Sequence, residues 1–232
     1  MMTEADYSGR DNLDVMLEAK NYNKYLLNLV LGQAEKTDSI VDFGAGRGTF
    51  CIPLAGMGYH VTCIETDRVL SEQLLDAGLP VNGDLQDMED GSVDYIYSLN
   101  VLEHIDDDEG TIALWFRKLR PNGKLLVYVP AFQSLYSSMD KKVGHFRRYL
   151  KADLSAKLSR AGFDPTTVRY TDSIGFFASL VYKYAGSDTG EINREALRFY
   201  DKYVYPLSGF LDIFAHGFLG KNVFAICRKR GG

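Results

Sequence analysis

The stretch IVDFGAGRGTF, residues 40–50, constrains the chain more than any other. An apolar run enters three glycines at alternate positions, Gly44, Gly46 and Gly48, and then a helix-like segment, TFCIPLAGMG. A strand passing through a glycine-rich turn into a helix is a nucleotide-holding element of doubly wound α/β sheets. The alternation continues downstream. SIVDF, YHVTCIE, LPVNGD, VDYIYSL and KLLVYVP are rich in Val, Ile and Tyr and read as strands one to five. TFCIPLAGMG, DRVLSEQLLDAG and DEGTIALWFRKLRPNG separate them as helices closing on glycine. The pattern predicts a mainly parallel sheet with right-handed crossovers and a ligand beyond the carboxyl ends of its strands.

The residues around the turn narrow the ligand. A dinucleotide fingerprint wants its third glycine at position 49, where this chain has Thr49. Asp42 ends the strand beside the turn, and a diphosphate there would meet like charge, a repulsion of roughly 1–4 kcal/mol. S-adenosylmethionine has no phosphate and carries an ammonium and a sulfonium, which Asp42 would attract directly or through water. Gly44, Gly46 and Gly48, with Ala45 between them, let the backbone approach such a ligand closely. Glu65, followed by Thr66, ends the second strand and is placed to accept from both ribose hydroxyls; the alternative is a charge at a helix N-terminus. Asp84 follows the third strand and can accept from the adenine amino group, with the Leu85 amide meeting a ring nitrogen; the alternative is an Asx turn. An NAD(P)-dependent oxidoreductase and a non-catalytic cofactor-binding protein are the rival classes.

Taken together, VDFGAGRGTF, VTCIE, NGDLQDM, VDYIYSLNVLEHI and LRPNGKLLVYVP resemble the class I S-adenosylmethionine-dependent methyltransferases over residues 38–130. The resemblance implies a Rossmann-like, doubly wound sheet of seven strands, mainly parallel, whose antiparallel last strand KNVFAIC would supply. It implies that the segment after strand four lines the methionine end of the cofactor, which nominates Asn100, Val101 and His104. The second half, with NYNKYL upstream, DKKVGHFRRYLKADLSAKLSRAGF and FYDKYVYPLSGFLD, is similar to a bacterial branch classed as type 11 or 12 methyltransferases. That similarity implies that Tyr22, with Tyr25, caps the cofactor pocket; a packed amphipathic helix is the alternative. The implied organisation is one domain, residues 1–232: a lid helix (1–37), a cofactor-binding core (38–130), then an acceptor-side loop, helices and closing strands (131–232).

Methyl transfer to a small molecule asks the protein mainly for alignment and exclusion of water, and orientation alone contributes roughly 7–11 kcal/mol in favourable models. An oxygen acceptor also needs a proton removed, a task for histidine. His104, past strand four, and His145, in GHFRRY, are the candidate bases. His145, Arg147, Arg148 and Tyr149 form the candidate acceptor site, the two arginines as a fork for an anion. The competing reading is a fixed loop in which Asp140 pairs with an arginine and Tyr149 caps the next helix. Phe176, Phe177, Tyr182, Phe199 and Tyr203 would line a pocket for a hydrophobic acceptor. Tyr200, Val204, Leu207, Leu211 and Phe214 recur at helical spacing and are expected to pack inward. IDDDEG reads as a solvated helix start capped by Asp108, and no metal site is expected.

Composition limits the remaining classes. A net charge of -5 disfavours nucleic-acid binding. Cys51, Cys63 and Cys227 are dispersed and read as free thiols in a reducing cytoplasm. The polar start MMTEADYSGRDNLD is unlike a signal peptide, and the longest apolar run, IGFFASLVY, is too short to span a bilayer. The expectation is a cytoplasmic methyltransferase acting on a small molecule, with a homodimer allowed.

Overall fold

The computed structural model describes residues 10–185 and 193–231; what the sequence suggests for residues 1–9 lies outside the described residues. Seven strands form one sheet: β1 (Ser39–Phe43), β2 (His60–Ile64), β3 (Val81–Asn82), β4 (Val93–Leu99), β5 (Leu119–Pro130), β6 (Phe163–Thr171) and β7 (Asn222–Lys229). Their order is β3-β2-β1-β4-β5-β7-β6. β1 to β5 pair in parallel, whereas β7 lies antiparallel between β5 and β6. The mainly parallel sheet and its reversed last strand are as the sequence predicts.

The central strand β4 is buried at all seven positions, which is why VDYIYSL reads as a continuous apolar run. Alternation along β1 sends Val41 to one face, in a core with Ile96 and Trp115, and Ile40 to the other, with Leu54, Tyr95 and Tyr97. The helices α3 (Cys51–Gly56), α4 (Arg68–Asp76), α5 (Asp108–Lys118), α6 (Ser138–Val143) and α7 (Lys151–Arg160) follow in turn. Strand order reverses between β1 and β4, and this leaves a crevice at their carboxyl ends. All three cysteines are free and buried.

Three local expectations need correction. The single N-terminal lid helix is two: α1 (Arg10–Met16) and α2 (Lys20–Leu31). The Asp201 carboxylate accepts from the amides of Asn21 and Tyr22, both at 2.9 Å, and so caps a fresh helix start from 180 residues away. At α5 the cap is Asp107, which accepts from the Gly110 amide, while Asp108 is buried and pairs with Lys157 at 2.8 Å.

The third concerns the aromatic tail. It folds as α8 (Ser173–Ala185), α9 (Arg194–Phe199), a π-helical turn at Tyr200–Val204, and α10 (Tyr205–Ala215). The stripe expected to pack inward does so only at its start: Tyr200 and Val204 are half-buried, whereas Leu207, Leu211 and Phe214 are exposed. Asp201 and Ser208 are buried instead, because their side-chain oxygens accept from amides of α2 and α8, and Tyr205 is buried edge to face on Tyr22 and Tyr25.

Candidate active site

A cavity of about 730 Å3 opens over the carboxyl ends of β1, β2, β4 and β5. Gly44 and Gly46 form part of its floor, and Leu13, Met16 and Tyr22 cover it from α1 and α2. Gly44 has φ +82°, and a Cβ there would lie 2.4 Å from Val101 Cγ2, so only glycine lets the turn pass Val101. Glu65 lines the cavity; its Oε2 accepts from the Gly46 amide at 2.7 Å and its Oε1 from the Asp67 amide at 2.8 Å. Asp67, rather than Glu65, caps α4. Asn100 adopts φ +55° just past β4 and donates its side-chain amide to the Tyr22 hydroxyl at 3.0 Å. Tyr22, Gly44, Gly46, Glu65, Thr66, Asn100, Val101 and His104 thus surround one cavity.

The other nominated cofactor residues lie elsewhere. Asp42 shares the Ile40 face of β1, is 3% exposed and does not line the cavity. Its burial pushes the carboxyl up to about 7, against the influence of Tyr97 and Cys51 and with that of Glu65. The direct attraction expected between Asp42 and a cationic ligand is therefore corrected: this acid sits beneath the turn, not on its ligand side. Ala45 and Leu85 are buried, and Gly48 meets Ile52 and Leu74 rather than the cavity. Asp84 is exposed and accepts from the Gln86 amide at 2.8 Å, an Asx turn.

The opposite end of the cavity carries a connected polar array. Asp140, 1% exposed, accepts from Arg148 Nε at 2.8 Å and Nη2 at 2.9 Å, and His145 Nδ1 lies 2.7 Å from the same carboxylate. Burial alone would raise the Asp140 carboxyl, but the His145 and Arg148 contacts prevail and hold it well below the usual carboxylate range. With Nδ1 directed at an ionised Asp140, the network assigns the proton to Nδ1 and leaves Nε2 as the acceptor. Nε2 lies 3.8 Å from Glu103 Oε1. The rings of His104 and His145 meet edge to face at 4.6 Å. Burial, then the neighbouring His145, pushes His104 down to about 4, so it is neutral near pH 7.

Glu103 is the residue that the sequence reading missed. It is fully buried, lines the cavity, and neither carboxylate oxygen has a hydrogen-bond partner among the described residues. Burial pushes it up to about 8, only partly relieved by its own backbone and Arg148. The available signal was an acid inside the otherwise apolar NVLEHI. Glu103, His104 and His145 also offer ligand atoms within 4.8 Å of one another, a cluster not anticipated when no metal site was expected.

The arginine fork is not free. Arg148 grips Asp140, and Arg147 pairs with Asp108 at 3.0 Å and donates to the Asp106 carbonyl at 2.8 Å, outside the cavity lining. Tyr149 is buried and its hydroxyl donates to Asp108 at 2.9 Å; it neither lines the cavity nor caps α7. The aromatic acceptor pocket is corrected too. Phe177, Phe199 and Tyr203 face solvent, Phe176 packs on Phe132, and none of the five nominated aromatics lines the cavity. Leu197, Tyr200 and Tyr205 form that wall instead.

A sheet of this order, with a reversed strand beside its edge and a glycine turn at the switch point, defines the class I methyltransferase architecture. A methyltransferase-domain family profile matches residues 16–168. The ubiquinone biosynthesis O-methyltransferase of Xanthomonas euvesicatoria is 27% identical over 146 residues, 53% of this chain and 61% of that enzyme, so the match spans under two thirds of the relative's length. A SAM-dependent methyltransferase from Thermotoga maritima superposes with TM-score 0.66 at 17% identity, covering 95% of both chains. Another from Archaeoglobus fulgidus gives TM-score 0.63 at 16% identity over 91% of this chain and 94% of its own. The chain belongs to the S-adenosylmethionine-dependent methyltransferase family, and S-adenosylmethionine is its cofactor.

Proposed function

We propose that the chain transfers a methyl group to a small-molecule acceptor, with an oxygen acceptor favoured over nitrogen. One observation carries this reading: a single cavity joins the Gly44–Glu65–Asn100 end to the Asp140–His145–Glu103 array. The cleared space above Gly44 and the carboxylate of Glu65 fit a nucleoside cofactor. Bound there, S-adenosylmethionine supplies an activated methyl group. Tyr22 and Asn100 close over that end, and α1 and α2 exclude water. At the other end, Asp140 holds His145 so that Nε2 takes the proton of an acceptor hydroxyl. His104, kept neutral, adds no competing positive charge. The Xanthomonas relative's printed role as an O-methyltransferase supports an oxygen acceptor.

The test combines calorimetry with turnover of labelled S-adenosylmethionine on hydroxylated aromatic acceptors. His145→Ala should keep cofactor affinity and lose turnover by roughly 100-fold or more. Undiminished turnover removes His145 from the chemistry. Tight cofactor binding with no turnover on any acceptor by the wild type favours a non-catalytic binding protein. The spacing of Glu103, His104 and His145 supports a second reading, in which a divalent cation held there orients the acceptor oxygen. Loss of turnover on chelation, restored by added metal, selects it.

A further inference from the structure

The C-terminal helices are amphipathic in reverse. In α10 the polar side chains point inward: Ser208 accepts from the Ile174 amide at 2.9 Å, and Asp212 accepts from the amides of Asp172 and Ser173 at 2.7 and 2.8 Å. These contacts lock α10 against the start of α8. The outward positions are apolar, with Phe210 at 61% and Phe214 at 73% exposed, and Phe218, just past the helix end, is 81% exposed. On α8, Phe177, Val181 and Tyr184 are exposed at successive helical turns. Single exposed hydrophobics need no explanation, but a shared apolar face on two packed helices does.

Charge selects the occupant. The chain carries net -5, yet Asp201 and Asp212 are both turned inward as caps. The exposed charges on α8 and on the stretch from Tyr200 through α10 are cationic: Lys183, and Lys202, whose ammonium lies 4.9 Å from the Tyr203 ring. A symmetric contact between two copies would bring lysine toward lysine. Anionic lipid headgroups complement lysines flanking an apolar helix face. The inner side of the same segment, at Tyr200 and Tyr205, walls the cavity.

We propose that α8, the Tyr200–Val204 turn and α10 form a face that seats on an anionic bilayer surface, with Phe210, Phe214 and Phe218 entering the headgroup–acyl boundary. Docking does not depend on the proposed reaction, although it sets the cavity beside a bilayer from which an apolar acceptor can enter.

The full chain should co-sediment with phosphatidylcholine vesicles containing phosphatidylglycerol, less with pure phosphatidylcholine, and less at high salt. Phe210→Ser combined with Phe214→Ser should reduce partitioning by about tenfold or more, and Lys183→Glu with Lys202→Glu should abolish the preference for the anionic lipid. Both variants should retain wild-type cofactor affinity by calorimetry, which separates this outcome from failure of the methyltransferase reading. Vesicle binding by the wild type that neither variant weakens overturns the proposal. So does an absence of vesicle binding, or a dimer that the Phe pair converts to monomer without any lipid effect.

Discussion

At the scale of the residue, Glu103 shows how burial rather than identity sets chemistry. An exposed glutamate is ionised at pH 7, whereas this one, pushed up to about 8, is mainly protonated and presents two unpartnered oxygens to a cavity. Its folded-state pKa lies above the unfolded value of 4.5, so the folded chain binds the extra proton between those values. The stability contributed by that proton is present at low pH and lost as pH rises toward 8. His104 acts in the opposite sense below pH 6.5, where the unfolded chain protonates first. Asp42, pushed up to about 7, acts in the same sense as Glu103 up to that value, so the clean window is pH 7 to 8. Glu103→Gln should melt higher than wild type by several degrees at pH 8, roughly 2–4 °C for each kcal/mol relieved, with a smaller gain at pH 7. A gain that does not change between these pH values contradicts a buried, proton-binding Glu103. Thermal melts in matched buffers decide it.

At the scale of the element, the N-terminal helices depend on side chains from the far end of the chain. Asp201 caps α2 through Asn21 and Tyr22, and the Asn21 side chain donates to the Asp201 carbonyl at 2.8 Å. Arg47, from the glycine turn, reaches Asp14 on α1 at 3.0 Å. Removing a helix cap costs about 0.5–2 kcal/mol. Asp201→Ala should destabilise the protein by that amount, and hydrogen exchange should accelerate at residues 20–25 more than in β4. It should also weaken cofactor retention, since Tyr22 loses its support above Asn100. Unchanged exchange in α2 would mean that the helix is held by packing alone. Periodicity predicted helical character here but not the break after Met16, since the group that starts α2 is supplied by Asp201.

At the scale of the whole molecule, the two halves close around one cavity, so ligand binding should stabilise both together. At 100-fold excess over its dissociation constant, S-adenosylmethionine should add about 2.7 kcal/mol and raise Tm by roughly 5–10 °C, with one transition for the lid and sheet. NADH should leave Tm unchanged. A shift with NADH and none with S-adenosylmethionine would reverse the cofactor assignment. Among the described residues no helix is long and apolar enough to cross a membrane, so the outward aromatic face concerns a surface contact rather than a span.

The amino-acid order alone determined the strand–helix alternation, the glycine turn and the acids at strand ends, because period and backbone freedom are local properties. Gly44 and Glu65 were legible for that reason, whereas Asn100 and Tyr22 were nominated by the family resemblance. Which face of an element meets the core was settled only in three dimensions. Asp42 ended beneath the turn because alternation on β1 points it away from the cavity, and the α10 stripe faced outward because Asp212 and Ser208 had amides on α8 to satisfy. Both outcomes depend on partners distant in the chain, and desolvation of Glu103 likewise exists only after the elements have packed.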